Sequence, residues 1–515
     1  MRNLQEGIKN QRSFTNDVLA SFVVFLVALP LCMGIAIASG VPPSSGLLTG
    51  MIGGMVVSTI SGSPLQVSGP AAGLVVIVAE LVRDYGIEML GPVLLLAGLI
   101  QWVAGTYKLG QIFRAMSPAV IYGMLAGIGV LIFASEFHVM IDDKPRHHGI
   151  ENLVAIPSAI YKAIFPPDGT NHHIAAAVGV ITIILLIVWD KFKPHRLRLL
   201  PGALIGVVVA TAIAKLLKLP IQYVDVPANL LEAIQVPKPI HFYQLLHAPL
   251  LLQATAIAFI ASAESLLSAA AVDRLHSGKR TNFDRELAAQ GIGNIICGAL
   301  GSLPMTGVIV RGSVNVKAGA KTRLAGILHG VWLLLLVVSV PSLLRMIPIS
   351  SLAAILVVTG YKLIEVKHIR KLKYYGKSPL IIFFATFIGI VVIDLLAGIA
   401  IGIVLTGVTL IYKVSRLNIY IKRDENQPCF DIYLEGAATF IRLPQLAAAL
   451  ERVPPKTELY VHLEKLAYID HTCMDLLSQW AKQQEQMGST VIMQWENLEE
   501  RYRKPFFSRR SPMAT

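Results

Sequence analysis

The residues best placed to do chemistry in this chain lie where two apolar segments lose their helical pattern in the same way. Gly-Ser-Pro at 62–64 leads into Gln66–Pro70, and Gly-Ser-Leu-Pro at 301–304 leads into Met305–Gly307. In lipid, such breaks leave backbone N–H and C=O groups that need partners, so they persist only where the backbone is buried in protein or lines a cavity. A matched pair of breaks is typical of the central site of a transporter.

The helices that follow the two breaks can bind an oxyanion. Each helix start offers free N–H donors and about half a positive charge, so two of them suit a monovalent anion. We expect the donors to be the N–H groups of residues 71–73 and 306–308, with hydroxyl contacts from Ser68 and Thr306. The predicted substrate-binding residues are Gln66, Ser68, Gly69, Ala71, Ala72, Met305, Thr306, Gly307, Val308, Ile309 and Arg311.

Two ionisable side chains lie within apolar segments. Arg311 follows Pro304 by about 10 Å of helix, and a charge buried that deeply in a membrane is by default functional. Glu264 lies in the middle of the apolar segment 249–272, with Ser268 one turn later on the same face. Glu264 can carry a proton, hold Na⁺ or pair with Arg311, and the sequence leaves these three alternatives open.

The composition predicts a membrane protein. Of 515 residues, 54% are hydrophobic and only 15% are charged, against about 25% charged residues in soluble domains. Apolar runs near the length needed to cross a bilayer recur about 14 times. We therefore expect an α-helical polytopic membrane protein.

The net charge of +13 reflects membrane orientation and does not indicate nucleic-acid binding. The basic residues fall in alternate loops, which places the N-terminus and the tail in the cytoplasm by the positive-inside rule. The four cysteines show no paired spacing, so no disulfide framework or fixed metal site is expected. No catalytic motif is present, and we expect no enzyme.

The order of the apolar segments predicts an inverted repeat. Seven precede the polar stretch 219–247 and seven follow it, and the broken segments are the third of each half. An odd number of crossings puts the two halves in opposite orientations, so two half-helices, at segments 3 and 10, meet near the midplane. The alternative is that Gly and Pro at these places only let helices pack closely.

Composition also divides the chain into domains. We expect a cytoplasmic N-terminus at 1–16, a transmembrane anion-transport domain at 17–416, a linker at 417–427, a small α/β domain at 428–496 and a basic, disordered tail at 497–515. The alternation of short strands and helices in 428–496 predicts a partly parallel sheet.

Several motifs together resemble the SulP family of inorganic anion transporters, which includes sulfate permeases, pendrin and prestin. They are Ala28-Leu29-Pro30 with Ala38–Pro43, Gln66–Pro70, Gln290–Asn294, and Pro304–Gly307 through Arg311. Ile469–Met474 resembles a turn of the STAS domain that this family carries after its transmembrane part. Within the family the chain is most similar to prokaryotic members proposed for bicarbonate uptake.

The resemblance implies a seven-plus-seven fold, an anion site between segments 1, 3, 8 and 10, and elevator-like movement. In the related bicarbonate carriers an acidic residue at the place of Glu264, with a hydroxyl at the place of Ser268, helps to hold sodium. Here Glu replaces Asp and Ser replaces Thr, which puts the sodium site in doubt. Asp470 and Thr472 are weak regulatory candidates, because some soluble STAS proteins carry a phosphorylated hydroxyl at the place of Thr472.

The expected function is secondary active transport of an inorganic oxyanion, bicarbonate before sulfate, across the inner or plasma membrane. Na⁺ or H⁺ is the expected coupling ion, no other cofactor is expected, and the expected assembly is a homodimer. A sulfate–proton symporter and an anion exchanger are the nearest alternatives. A nucleobase–proton symporter has little use for Arg311, whereas an uncoupled channel or a STAS signalling scaffold does not need Glu264.

Overall fold

A computed structural model describes residues 2–111, 117–146, 149–166, 170–194, 197, 200–225, 234–423 and 429–493. The chain forms two compact units, 1–403 and 404–515. Within the described residues, eight helices are long and apolar enough to cross a membrane, and shorter apolar helices accompany them. The predicted tail at 497–515 lies outside the described residues.

The first half of the membrane part contains seven crossings and one additional helix. Its second crossing changes from an α-helix to a π-helical turn at Gly53–Val57, and its third begins as an extended segment. The elements are α1 (Arg2–Ala38), α2 (Pro43–Ile52), α3 (Ser58–Ile60), β1 (Ser68–Pro70), α4 (Val75–Tyr85), α5 (Leu90–Thr106), α6 (Pro118–Met140), α7 (Gly149–Ile164), α8 (His172–Phe192) and α9 (Gly202–Leu216).

The second half repeats this order. Its third crossing also begins as an extended segment, so the prediction of breaks in segments 3 and 10 is confirmed. The elements are α10 (Pro239–Gln244), α11 (Ala248–Asp273), α12 (Phe283–Ala299), β2 (Met305–Gly307), α13 (Ile309–Lys317), α14 (Leu324–Ser339), α15 (Pro341–Leu344), α16 (Ile349–Leu363), α17 (Val366–Tyr374), α18 (Lys377–Val392) and α19 (Leu395–Val414).

Helices α5 and α12 pack with their backbones in close approach. A Cβ atom added at Gly98 would lie 2.5 Å from the backbone nitrogen of Ile295, and one added at Gly298 would lie 2.6 Å from that of Leu95. Such spacing is typical of membrane helices that associate through small residues. The pair forms a rigid wall beside the two broken segments.

A second group of helices packs around α6. Met140 at the end of α6, Ala159 of α7, and Ala353 and Val357 of α16 share one buried apolar cluster. A large cluster joins α4, α5 and α11 through residues such as Leu94, and it continues onto α6 through Met124 and Ile128. The helices around the broken segments and the helices around α6 thus share one apolar interface.

The C-terminal unit is a five-stranded sheet with helices. Its elements are β3 (Leu417–Arg423), β4 (Cys429–Ala438), a 3₁₀ turn (Phe440–Arg442), α20 (Leu443–Leu450), β5 (Glu458–His462), β6 (Leu466–Ile469), α21 (His471–Gln486) and β7 (Thr490–Met493). β3 runs antiparallel to β4, whereas the β4–β5, β4–β6 and β5–β7 pairs are parallel. This architecture is consistent with a STAS domain.

The prediction of a linker at 417–427 is wrong for residues 417–423. Residues Leu417–Arg423 form an edge strand that pairs with β4 along its whole length, from Leu417 opposite Gly436 to Arg423 opposite Phe430. An edge strand exposes one side to water and tolerates Lys and Arg, which made this strand look like a linker in sequence. Residues 424–428 lie outside the described residues.

Candidate anion site

The two extended segments cross in the centre of the membrane part and pair with each other. β1 and β2 run antiparallel, with Ser68 opposite Gly307, Gly69 opposite Thr306 and Pro70 opposite Met305. All six of these residues are buried. The backbone groups freed by the two breaks therefore find partners in each other, as the lipid environment requires.

The two helix starts after this crossing have nearly the same backbone shape. Ala71 precedes its helical turn with φ −104° and ψ 128°, and Val308 precedes α13 with φ −104° and ψ 120°. No side chain of the described residues caps either start. The first N–H groups of both helical segments are thus not satisfied by a capping side chain, which is the arrangement that binds anions.

Amide side chains of α5 and α12 hold the crossing in place. Asn294 accepts from the Met305 N–H at 2.7 Å and donates to the Met305 carbonyl at 3.1 Å, and it also donates to Gln101 at 2.7 Å. Gln290 donates to the Ser68 hydroxyl at 2.7 Å and to Glu286 at 2.8 Å. The Gln290–Asn294 motif therefore supports the broken backbone from behind.

Gln66 braces the crossing of the two extended segments. Its amide donates to the Ser265 carbonyl at 3.1 Å, and it fills the space that Gly307 leaves open, so that a Cβ at Gly307 would collide with it. The Gly307 N–H donates to the Ser265 hydroxyl at 3.1 Å, and the Val308 N–H donates to the Val67 carbonyl at 3.1 Å. These two N–H groups are already used.

The sequence analysis predicted the N–H groups of residues 306–308 as anion donors, and this prediction is wrong by about one helical turn. The prediction assumed that the helix begins directly after Pro304, but Met305–Gly307 pairs as a strand and α13 begins at Ile309. The free N–H groups of this helix start belong to Ile309 and the residues that follow it. The Thr306 hydroxyl is buried and has no hydrogen-bond partner among the described residues.

Arg311 is completely buried and largely unsatisfied. Its Nη2 donates to the Cys32 sulfur at 3.4 Å, while Nε and Nη1 have no hydrogen-bond partner among the described residues. The guanidinium lies directly against Gly69, where an added Cβ would collide with it. His329 of α14 is also fully buried, and neither of its ring nitrogens has a hydrogen-bond partner among the described residues. A buried cation with two unpaired nitrogens has the chemistry needed to bind an anion.

Glu264 lies at the other helix start. A Cβ added at Gly73 would lie 2.7 Å from its Oε2 and 3.3 Å from its Oε1, so the carboxyl group contacts the first turn before α4. Oε2 is buried without a hydrogen-bond partner among the described residues. Among the described residues Glu264 and Arg311 form no ion pair, so this structure does not support the alternative that they pair directly.

A cavity of about 120 Å³ brings both charged residues together. Of the predicted residues, it is lined by Ala72, Val308, Ile309, Arg311, Glu264 and Ser268. Gln66, Ser68, Gly69, Ala71, Met305, Thr306 and Gly307 do not line it and instead form or brace the crossing behind it. Sequence reasoning missed the apolar wall, which comprises Leu31, Ile35, Ile121, Met124, Leu125, Leu356 and Leu363. In the sequence these residues show only the spacing of an apolar helix face, which does not distinguish a cavity wall from ordinary helix packing.

The regulatory candidates lie at the start of α21. Asp470 caps this helix, accepting from the Cys473 N–H at 2.9 Å and also from the Phe440 N–H. Burial and the neighbouring Asp470 raise the pKa of the Cys473 thiol to about 12, so this cysteine stays protonated. Thr472 is exposed in the first turn. A regulatory role for Asp470 and Thr472 stays a prediction.

A many-helix membrane fold whose two broken segments cross beside a buried, charged cavity defines a membrane transporter of the inverted-repeat class. The chain belongs to the sulfate permease family, which it matches over residues 14–386. This family consists of anion transporters, so the prediction that the chain is not an enzyme is confirmed.

Individual relatives agree with this assignment. The chain is 31% identical over 483 residues to YvdB of Bacillus subtilis (strain 168), which carries the name of a sulfate transporter, covering 90% of this chain and 87% of that one. It is 26% identical to the bicarbonate transporter BicA of Synechocystis sp. (strain ATCC 27184 / PCC 6803 / Kazusa), covering 79% of this chain and 71% of BicA.

Solved structures share the fold. The transmembrane domain of a cyanobacterium bicarbonate transporter BicA superposes with a TM-score of 0.62 at 24% identity, covering 75% of this chain and 97% of that domain. Murine Slc26a9, an anion transporter in the inward-facing state, superposes with a TM-score of 0.77 at 14% identity, covering 93% of this chain and 85% of that one. The predicted fold class is confirmed.

Proposed function

We propose that this protein is a secondary active transporter that moves an inorganic oxyanion, bicarbonate before sulfate, together with Na⁺ or H⁺. The observation that carries the proposal is Arg311, a fully buried guanidinium with two N–H groups lacking a described partner, in the wall of a cavity that also contains Glu264. The curated relatives named as sulfate and bicarbonate transporters support the substrate class.

The charges around the cavity favour a monovalent anion. The start of α13 contributes about half a positive charge and Arg311 one more, whereas the carboxyl group of Glu264 lies against the helix start of the first half and offsets it. The net positive charge open to a ligand is therefore between one and two units. Bicarbonate matches this charge directly, and sulfate matches it only when Glu264 is neutralised.

Glu264 is the proposed coupling group. A carboxylate buried in the membrane is unfavourable unless a proton or a cation neutralises it, and among the described residues no ion pair to Arg311 does so. Ser268 lines the same cavity and supplies a hydroxyl oxygen of the kind that Na⁺ accepts. We favour Na⁺ over H⁺ narrowly, because a hydroxyl beside a carboxylate serves a metal ion better than a proton.

We also propose the orientation, the movement and the assembly. The N-terminus and the STAS unit lie in the cytoplasm of the inner or plasma membrane, in agreement with the positive-inside rule. The helices around the crossing move against the group around α6, and this proposal is supported by packing, since α5 packs mainly on α12 while α6 packs mainly on α16 and α18. The STAS unit serves as a dimerisation or regulatory module of a homodimer.

Uptake into proteoliposomes tests the proposal. Labelled bicarbonate and labelled sulfate are supplied separately, with and without an inward Na⁺ gradient and with a pH gradient, to wild-type protein and to the matched variant Arg311→Gln. We expect bicarbonate uptake that rises with the Na⁺ gradient and is lost in the variant. Failure of the wild-type protein to accumulate either anion under any gradient would contradict the proposal.

A further inference from the structure

A second cavity lies on the side that the proposed orientation places outside. It measures about 320 Å³ and is enclosed by the ends of α1, α4 and α6, the chain before α7 and the chain before α19. Its charged lining residues are Glu80, Arg83, Glu136, Arg146 and Asp394. Its polar character distinguishes it from the lipid-facing surface.

The second cavity continues the path of the anion cavity along the same helices. On α6, Leu125 lines the anion cavity, while Ile132, Glu136 and Val139 line the second one. The spacing of seven, four and three residues keeps these side chains on one helix face. Leu125 and Glu136 are eleven residues apart, or about 17 Å of helix. Glu136 therefore lies on the outer approach to the anion site.

Apolar side chains separate the two cavities in this structure. Leu74 and Ile128 lie in sequence between residues that line the anion cavity and residues that line the second one, and both belong to one buried apolar cluster. An anion that enters from outside therefore reaches the second cavity first. It can pass on to the anion cavity only when the apolar side chains between the two cavities move apart. The charge of the side chains that line the second cavity therefore determines which ions can occupy it.

Glu136 is the one carboxyl group of this lining that is fully buried and unsatisfied among the described residues. Its exposed fraction is 1%, and its Oε2 has no hydrogen-bond partner among them. By contrast, Asp394 accepts from the Ala397 N–H at 2.7 Å and caps α19. An isolated carboxylate in such surroundings is strongly disfavoured unless something neutralises it.

The charged groups around Glu136 are occupied elsewhere or lie at the rim. Arg83 contacts Asp84 at 2.7 Å. His138, two residues along α6, bonds to the Asn152 carbonyl at 3.1 Å and faces Asp143 at 3.5 Å. The Arg146 side chain is exposed. None of these cations forms an ion pair with Glu136 in the described structure, so no basic side chain neutralises its carboxylate.

We propose that Glu136 is a proton-binding site that controls entry of the anion from outside. When protonated, the carboxyl group offers an O–H donor to an arriving oxyanion. When it is ionised by loss of this proton to the external water, its negative charge repels the anion from the cavity. This inference rests on the proposed function as an oxyanion transporter, but it places the external pH dependence on Glu136 and not on Glu264.

Infrared difference spectroscopy tests the proton site without any transport. Full-length protein in lipid is compared in acidic and alkaline buffer. We expect a protonated-carboxyl band that disappears in Glu136→Gln, is shifted but retained in Glu136→Asp, and remains in the matched control Asp394→Asn. The Glu264→Gln variant identifies any band that belongs to the other buried carboxyl. An unchanged spectrum in a folded Glu136→Gln protein would overturn the inference.

Uptake of labelled sulfate and labelled bicarbonate tests the consequence, with internal pH held constant and external pH varied. Above the titration midpoint the protonated fraction of a carboxyl falls roughly tenfold per pH unit, and we expect wild-type uptake to fall with it. Glu136→Gln should lose this dependence, whereas the matched control Asp394→Asn should keep it. If wild-type uptake depends on external pH and Glu136→Gln follows the same curve, the inference fails while the proposed function stands. If no anion is transported, the proposed function fails and the infrared result alone decides whether Glu136 binds the proton.

Discussion

The two broken segments have nearly the same backbone but different charges. β1 and β2 pair symmetrically, and the residues that enter the two helices differ by only 8° in ψ, 128° against 120°. The helix start of the first half carries the carboxyl group of Glu264, whereas that of the second half has Arg311 beside it with free N–H donors. The inverted repeat thus provides two similar helix starts, and in the proposed function their side chains assign one to the coupling ion and the other to the substrate.

Removal of Arg311 should have the largest effect on this division. Arg311→Ala should weaken anion binding about tenfold to hundredfold, because hydrogen bonds to a charged group contribute about 1.5–3 kcal/mol. Arg311→Lys keeps the charge but not the planar set of donors, and should recover part of the affinity. Binding of labelled bicarbonate to purified protein measures both. Wild-type affinity in a well-expressed Arg311→Ala protein would remove this residue from the site.

A matched pair of glycine substitutions in the first segment should separate the two roles. Gly69→Ala places a Cβ against the Arg311 guanidinium, and Gly73→Ala places one 2.7 Å from Glu264 Oε2. Since a displaced side chain commonly costs about 1–3 kcal/mol, we expect Gly69→Ala to lower anion affinity and Gly73→Ala to alter the Na⁺ or pH dependence. Uptake measured against anion and Na⁺ concentration distinguishes them. Identical defects in both variants would contradict the assignment of different roles to the two helix starts.

The contact of Arg311 with Cys32 should matter less. The sulfur accepts from Nη2 at 3.4 Å and is a weak acceptor, so Cys32→Ala should change anion affinity by about twofold to fivefold. Cys32→Ser keeps an acceptor and should be closer to wild type. A loss as large as that of Arg311→Ala would mean that Cys32 itself contacts the anion.

Loss of the STAS unit should have the smallest effect on the site. Every residue of the crossing and of the anion cavity lies within the unit 1–403. A chain that ends at Val414, before the first strand of the sheet, should still insert and bind the anion with near wild-type affinity, while transport rate or oligomer stability changes. Binding measured on the purified truncation checks this. Complete loss of folding would show that the membrane unit depends on the STAS unit.

The sequence predicted the features that depend on local chemistry. Pro70 and Pro304 lack the N–H donor that a continuous helix needs at these positions, and a charged residue such as Arg311 or Glu264 is conspicuous within an apolar segment. These signals sufficed for the fold class, for the paired breaks and for both charged residues.

Features that depend on pairing between distant segments were not predictable. The N–H groups of Gly307 and Val308 are used because β2 pairs with β1 and contacts Ser265. The position of Glu264 against Gly73 depends on how α11 packs on the first half. Glu136 lies in an apolar helix, but only the tertiary structure reveals that it lines a cavity and lacks a partner.

In the proposed function, Arg311 binds the anion while Glu264 responds to the coupling ion. The most direct test measures binding of labelled bicarbonate to purified wild type, Arg311→Gln and Glu264→Gln, each over a range of Na⁺ concentrations and at two pH values. We expect Arg311→Gln to bind weakly at every Na⁺ concentration and pH, and Glu264→Gln to bind with an affinity that no longer changes with the coupling ion. Retention of ion-dependent binding in Glu264→Gln, or of wild-type affinity in Arg311→Gln, would contradict the account.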